Sequence, residues 1–261
     1  MTDTSHARRA RSFDAAAAQY GAHRPSYPPA LFDALEDLAG RPLRGARVAD
    51  VGAGTGIATG LLHERGARVV AVEPGDGMAA EFRRTRPGVP LVRGDGDRLP
   101  LAGGTFDLLT YAQAWHWTDP ARSVPEARRV LRPGGALAMW WNDMDTDVPW
   151  IAGQEARLKA FFQVTEDTQD TQDTQGTFRL LPAGLEFTTR RLRWSRRVSL
   201  DAHLANLTTH SAFLTLGAAG TAEFLAQERQ ALRPLFPDGT VEEAYVVSLA
   251  VAVLPGTTPQ R

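Results

Sequence analysis

The run Val48-Ala49-Asp50-Val51-Gly52-Ala53-Gly54-Thr55-Gly56 constrains this chain more than any other stretch of it. Its first half is a short apolar segment of the kind that makes a buried strand. Its second half sets three glycines at alternate positions, and an amphipathic helical pattern opens directly after it. A strand that passes through a glycine turn into a helix is the entry to a parallel α/β sheet. Glycine lets the backbone turn tightly and lets a ligand approach without a Cβ in the way. The expectation is an exposed turn between residues 52 and 56 that presents bare peptide groups to a bound molecule.

The segments that follow keep the same rhythm. Short apolar runs at 47–51, 68–73, 89–92, 106–112 and 136–141 alternate with amphipathic stretches at 57–65, 78–86 and 121–131, which predicts parallel strands joined by right-handed helical crossovers. Ahead of them, residues 12–39 read as helix, break, helix, interrupted between Pro25 and Pro29. After Trp141 the pattern predicts a helix over 150–163, a strand over 185–193, helices between Leu200 and Leu235, and a last strand over 241–253, the two late strands completing the sheet. Asp167 to Gln175 is three Asp-Thr-Gln triplets with no apolar residue. Such a tract buries too little to offset its ordering entropy, so residues 165–177 are expected to form a mobile loop. A calcium loop would need ligands at alternating positions and a glycine turn, which the triplets do not supply.

Composition removes several kinds of chemistry. With no cysteine, the chain has no disulfide, thiolate metal site, iron–sulfur cluster or cysteine nucleophile, and no metal site is expected. The 29 basic and 30 acidic residues give a net charge of -1, so no overall field favours nucleic acid. One lysine, Lys159, stands against 28 arginines, which reads as the coding bias of a high-GC bacterium. The densest basic run, Arg190 to Arg197, places five arginines around Leu192 and Trp194. It reads either as a solvated strand at the sheet edge or as a phosphate-contacting edge. No stretch reaches the roughly 18 apolar residues of a membrane span, and Met1 to Ser12 has no apolar core, so a soluble, cytoplasmic protein is expected.

A dinucleotide fingerprint would place its third glycine at position 57, which is Ile57; the third glycine is Gly56. The pattern Asp-x-Gly-x-Gly-x-Gly from Asp50 resembles instead the cofactor loop of class I S-adenosylmethionine-dependent methyltransferases. Further segments resemble that family in the same order. Glu73 closes the second strand. Gly94-Asp95-Gly96-Asp97-Arg98-Leu99-Pro100 follows the third, Phe106 to Trp117 forms the fourth strand and its loop, and Leu131-Arg132-Pro133-Gly134-Gly135 precedes the fifth. The resemblance covers about the first 145 residues. It implies a Rossmann-like, seven-stranded, mostly parallel sheet with helices on both faces. An N-terminal helical cap would span 1–40, a cofactor-binding core 41–145, and the end of the sheet with a helical lid over the active site 146–261.

The resemblance also implies S-adenosyl-L-methionine as cofactor and S-adenosyl-L-homocysteine as product. Glu73 would accept both ribose hydroxyls, since a carboxylate offers two acceptor oxygens and no donor. Asp95 would take the adenine amino group, with the Gly96 amide facing the ring. Asp50, Gly52, Ala53, Gly54, Thr55, Gly56, Pro74, Met78, Gly94, Ala112, Gln113 and Trp117 complete the implied cofactor surface. Phe13, Tyr20, Arg24-Pro25 and Tyr27-Pro28 resemble the cap of a branch that includes small-molecule, trans-aconitate-like methyltransferases, and Gln113-Ala114-Trp115-His116-Trp117 fits that branch. In such a cap Tyr20 and Arg24 close over the methionine end, the guanidinium pairing with its carboxylate; a local pairing of Arg24 is the other reading.

Methyl transfer from a sulfonium is an in-line displacement, and alignment of the reactants alone supplies about 7 to 11 kcal/mol. The acceptor must also lose a proton, and His116, at the carboxyl end of the fourth strand, is either the general base or a packed histidine that shapes the pocket. Tyr27, Trp115, Trp140 and Trp141 are expected to line an acceptor pocket, some of them packing as core. By the same resemblance His210 and Ser211 would reach it from the lid; the other reading of either is a helix cap or a surface residue. The acceptor is expected to be a small molecule, in secondary metabolism, and the Asn/Asp-Pro-Pro-Tyr loop of methyltransferases acting on adenine or glutamine is absent at Tyr111 to Ala114. Two alternatives stand beside this reading: a regulator that binds S-adenosylmethionine without turnover, and a nicotinamide-dependent oxidoreductase, which Ile57 opposes.

Overall fold

The computed structural model describes residues 17–162, 178, 181–209 and 211–256. Seven strands form one sheet: β1 (Arg47–Val51), β2 (Arg68–Glu73), β3 (Leu91–Arg93), β4 (Phe106–Ala112), β5 (Leu131–Met144), β6 (Thr188–Ser199) and β7 (Thr240–Val253), in the order β3-β2-β1-β4-β5-β7-β6. The first five pair in parallel, and β7 runs antiparallel to both β5 and β6. Chain order reverses between β1 and β4, so their carboxyl ends flank the crevice where ligands bind in open α/β sheets. No helix among the described residues is long and apolar enough to cross a membrane.

Among the described residues eight α-helices accompany the sheet: α1 (Ala17–His23), α2 (Pro29–Ala39), α3 (Ile57–Glu64), α4 (Asp76–Thr85), α5 (Pro120–Val130), α6 (Pro149–Phe161), α7 (Leu200–Leu207) and α8 (Ser211–Leu232). The start and stop of α2 follow from Pro29 in its first turn and Gly40 just past its end, at φ 62°. Leu31, Phe32 and Leu35 of α2, Leu62 of α3 and Phe82 of α4 pack on one face of the sheet, against Val48, Leu108, Trp140 and Leu249. Ala127 and Val130 of α5 pack on the other, against Val51, Leu109, Tyr111 and Trp141. Alternation along β5 thus sends Trp140 and Trp141 to opposite cores. A third cluster, with Leu204, Phe213, Phe224 and Leu232, joins α7 to α8.

Two strands differ from their sequence-based limits. β5 begins at Leu131 rather than Ala136, with an irregular register between Phe106 and Leu108 of β4 that absorbs the Arg-Pro-Gly-Gly segment. β6 spans 188–199 rather than 185–193, because its alternating half-buried side chains keep pairing with β7 as far as Thr240. It is the edge strand, as the first reading of the arginine run anticipates, and Arg193 and Arg196 pair with Asp145 and Glu243. The Asp-Thr-Gln triplets, Phe13 and His210 lie outside the described residues, as does the side chain of Ser211.

Candidate functional site

Gly52, Gly54 and Gly56 all adopt left-handed backbone, at φ 68°, 56° and 88°. A Cβ on Gly52 would stand 2.6 Å from that of Ala114, and one on Gly56 would stand 2.8 Å from the Phe82 ring. The two outer glycines therefore permit close packing, whereas a Cβ at Gly54 meets nothing within 4 Å and would project into open space. Contrary to expectation, the peptide groups of the turn are not bare. The Gly52 and Ala53 amides both donate to the Val72 carbonyl, at 2.8 and 3.1 Å, and Gly56 N donates to Ala53 O at 2.9 Å. Gly54 N donates to Glu73 Oε2 at 2.8 Å. The turn spends these donors holding itself to the end of β2, and what it offers a ligand is close approach at Gly54.

Glu73 is 5% exposed, and its second oxygen accepts from Gly75 N at 2.7 Å, so one carboxylate ties two neighbouring turns together. Arg93, which the sequence reading missed, clamps the same segment from β3. It donates to the carbonyls of Glu73 and Pro74 and pairs with Asp76. A charged residue closing a strand directly before a glycine turn was the available signal. Asp95 is exposed and caps its own turn by accepting from Asp97 N and Arg98 N, both at 3.0 Å. Gly96 sits under Tyr111 and Thr118, where a Cβ would meet Thr118 at 2.7 Å. Gly94 is half-buried and Met78 buried.

Asp50 lies beneath the loop rather than on it. It is 0% exposed, and its two oxygens accept from the hydroxyls of Thr59, at 2.5 Å, and Thr110, at 2.8 Å. Burial pushes its pKa up to about 6 from the ordinary 3.8, with the two hydroxyls pulling the other way. Between those values the folded protein holds a proton that the unfolded chain has lost, so this group's contribution makes stability fall as pH rises through the window, by about 3 kcal/mol in all. Asp50→Asn removes that contribution. In urea unfolding, the variant is expected to gain about 3 kcal/mol on the wild type between about pH 4 and pH 7; a difference that stays constant across this range would contradict the assignment.

At the end of β4, Gln113 has φ 57°, the one non-glycine among the described residues with positive φ. Strain of this kind persists where the surroundings fix it. Here Gln113 N donates to Trp140 O at 2.9 Å and Nε2 to Asn142 O at 3.1 Å. The following 3₁₀ turn, Trp115–Trp117, leaves His116 and Trp117 half-buried with their rings 4.6 Å apart. The other predicted aromatic residues are mostly interior. Trp115, Trp140 and Trp141 are 2%, 0% and 4% exposed, and Tyr27 meets Trp140 edge-on at 5.9 Å. Burial raises the Tyr27 pKa. Of the predicted tryptophans, Trp117 is the one left half-exposed. Arg24 lies over the Tyr20 ring at 4.9 Å and donates to Thr209 O at 3.3 Å, joining α1 to the end of α7.

The sequence reading also missed a buried polar chain that joins α6, α7 and α8 to β6 and β7. Arg157 pairs with Glu228 at 2.6 Å, Gln154 Nε2 donates to Glu228 at 2.9 Å and to His203 Nε2 at 2.8 Å, and His203 Nδ1 donates to Glu243 at 2.7 Å. Glu243 also takes Arg196, at 2.5 Å, and the Tyr245 hydroxyl, at 2.8 Å. Burial would raise its pKa, but the His203 hydrogen bond and the Arg196 charge hold it below the usual glutamate value.

Residues 49–139 match the model of a family described as a methyltransferase domain. An uncharacterized methyltransferase of Mycobacterium tuberculosis is 45% identical over 140 residues, 54% of this chain and 56% of that protein. A demethylmenaquinone methyltransferase of Beutenbergia cavernae is 42% identical over 106 residues, 40% of this chain and 43% of that one. The chain spans about half the length of the curated relatives it matches. A solved structure described as a candidate type II methyltransferase from Anaeromyxobacter dehalogenans superposes with TM-score 0.69 at 28% identity, covering 89% of this chain and 99% of that one. A candidate methyltransferase from an antibiotic biosynthesis pathway of Anabaena variabilis shares the fold, with TM-score 0.61 at 18% identity over 87% of this chain and 98% of that one.

Proposed function

We propose that the chain, whose residues 49–139 match a methyltransferase domain model, is a class I methyltransferase that transfers the methyl group of S-adenosyl-L-methionine to a small-molecule acceptor. The observation that carries the reading is the Glu73 carboxylate. It is held by Gly54 N and Gly75 N at the carboxyl edge of the sheet, beside a glycine whose missing Cβ leaves open space. That arrangement fits an adenosyl group: the carboxylate takes the ribose hydroxyls, and Asp95 and Gly96 take the adenine. The loop carbonyls suit the ammonium of the methionine end, since the loop amides of residues 52, 53, 54 and 56 are already engaged. Arg24 takes its carboxylate. Ala112, Gln113 and Trp117 close the methyl side, with Pro74 and Met78 behind the ring.

When bound, the cofactor supplies a methyl group on a positively charged sulfur. The protein's part is to hold the acceptor in line, to exclude water beneath the cap and lid, and to receive the acceptor's proton, for which His116 is the candidate. Calorimetry with S-adenosyl-L-methionine, S-adenosyl-L-homocysteine and NAD tests the reading. The first two are expected to bind at micromolar concentrations and NAD not at all; binding of NAD alone would overturn the proposal. Replacing His116 by Ala is expected to lower turnover about 10²-fold or more, with cofactor affinity unchanged. Turnover within a few-fold of wild type would remove His116 as the base.

A further inference from the structure

The carboxyl edge holds two buried amide side chains that the cofactor reading does not use. Asn142, near the end of β5, is 7% exposed, and Asn206, in the last turn of α7, is 4% exposed. Each side chain makes one hydrogen bond among the described residues and leaves its other polar atom buried without a partner, Nδ2 in Asn142 and Oδ1 in Asn206. A buried polar group left without a partner loses its hydration with nothing in return, so two at one edge call for an explanation beyond packing.

Their neighbours fix the polarity of both atoms. Trp194 Nε1 can only donate, and it lies 2.9 Å from Asn142 Oδ1, so the oxygen must face the indole and the NH₂ must face away. The Tyr245 hydroxyl donates to Glu243 Oε2 at 2.8 Å, which leaves its oxygen as an acceptor only. Asn206 Nδ2 donates to it at 3.4 Å, and the Asn206 carbonyl faces away. Trp194 and Tyr245 are register partners on β6 and β7 and stack at 5.0 Å and 20°, so the two amides flank one aromatic pair. The Asn142 main-chain carbonyl accepts from the strained Gln113, and Arg24 of the cap reaches the main-chain carbonyl of Thr209, three residues beyond Asn206. Asn142 and the segment after Asn206 are thus tied by these contacts to the end of β4 and to the cap.

Resting on the methyltransferase reading, we infer that Asn142 and Asn206 form an acceptor-recognition subsite. It selects an uncharged, flat molecule bearing a group that both accepts and donates, a hydroxyl or a carboxamide. Asn142 donates to the oxygen of such a group and Asn206 accepts its hydrogen. A carboxylate satisfies Asn142 but leaves the Asn206 carbonyl facing another oxygen. An amidinium satisfies Asn206 and fails at Asn142.

Benzamide, benzoate and benzamidine share one shape and differ in this group alone, which makes them the probes. Protein saturated with S-adenosyl-L-homocysteine is titrated with each and followed by ligand-observed NMR. Benzamide is expected to bind at least tenfold more tightly than either ion. Asn142→Asp keeps an oxygen toward Trp194 and exchanges the donor for an acceptor, so it is expected to shift the preference to benzamidine. Asn206→Leu, a second variant that does not depend on the first folding, is expected to cut the advantage of benzamide over benzoate below threefold. Equal or tighter binding of an ion to the wild type, no saturable benzamide binding, or an unchanged ranking in the variant that folds overturns the inference. The same samples are titrated with S-adenosyl-L-homocysteine. Failure of the wild type to bind it sinks the methyltransferase reading itself, whereas intact binding with the wrong ranking sinks the subsite alone.

Discussion

Glu73→Ala is expected to weaken binding of S-adenosyl-L-homocysteine at least a hundredfold. The carboxylate has two tasks. It holds Gly54 N and Gly75 N, at 2.8 and 2.7 Å, and so sets the shape of the glycine turn against β2. It is also the group proposed to take the ribose hydroxyls. Hydrogen bonds to a charged acceptor contribute about 1.5–3 kcal/mol each, and losing two of them accounts for the hundredfold without counting the loosened turn. Glu73→Gln keeps one acceptor oxygen and should fall between. Calorimetry on both variants, with circular dichroism to show that the sheet is intact, checks the effect. Affinity within threefold of the wild type in the alanine variant would mean that the ribose is held elsewhere.

The largest expected loss of stability comes from Glu243→Ala. This carboxylate is 0% exposed and serves Arg196, His203 and Tyr245 together. Removing it leaves the partly buried Arg196 without its counter-ion and two buried donors without an acceptor, a change that costs about 3–5 kcal/mol. For a chain of this size the midpoint of thermal unfolding should drop by about 10 °C. Because the Glu243 pKa is held below the usual 4.5, its stabilisation is present above that value and fades as pH falls through it. The gap between wild type and variant should therefore narrow in acid. A midpoint within about 2 °C of the wild type at neutral pH would show that the chain from Arg157 to Arg196 is not holding α6, α7 and α8 to the sheet.

The sequence-based reading was sharpest where a signal is local. The strand, turn and helix around Asp50 to Gly56 sit within one stretch of chain, and each glycine there has positive φ. The partnership of Glu73 with Gly54 spans 19 residues, one βαβ unit, a distance over which spacing alone points to contact. The site was less legible where burial decides. The four tryptophans look alike in the sequence, yet alternation along β5 and the pitch of a 3₁₀ turn leave Trp117 half-exposed while Trp115, Trp140 and Trp141 go to the cores. The hydroxyls of Thr59 and Thr110 carried no motif, because a hydrogen bond to one carboxylate is a geometry that many residue types can supply.

The sequence by itself determined that a glycine turn joins a buried strand to a helix in an α/β sheet, because turning tightly without a Cβ is a property of the residues involved. Only the tertiary structure decided which donors of that turn are already spent, and which amides at the sheet edge are left with something to offer. Asn142 meets Trp194 across 52 positions and Asn206 meets Tyr245 across 39. Pairings of that range are set by the antiparallel return of β7 between β5 and β6, and no local periodicity encodes them.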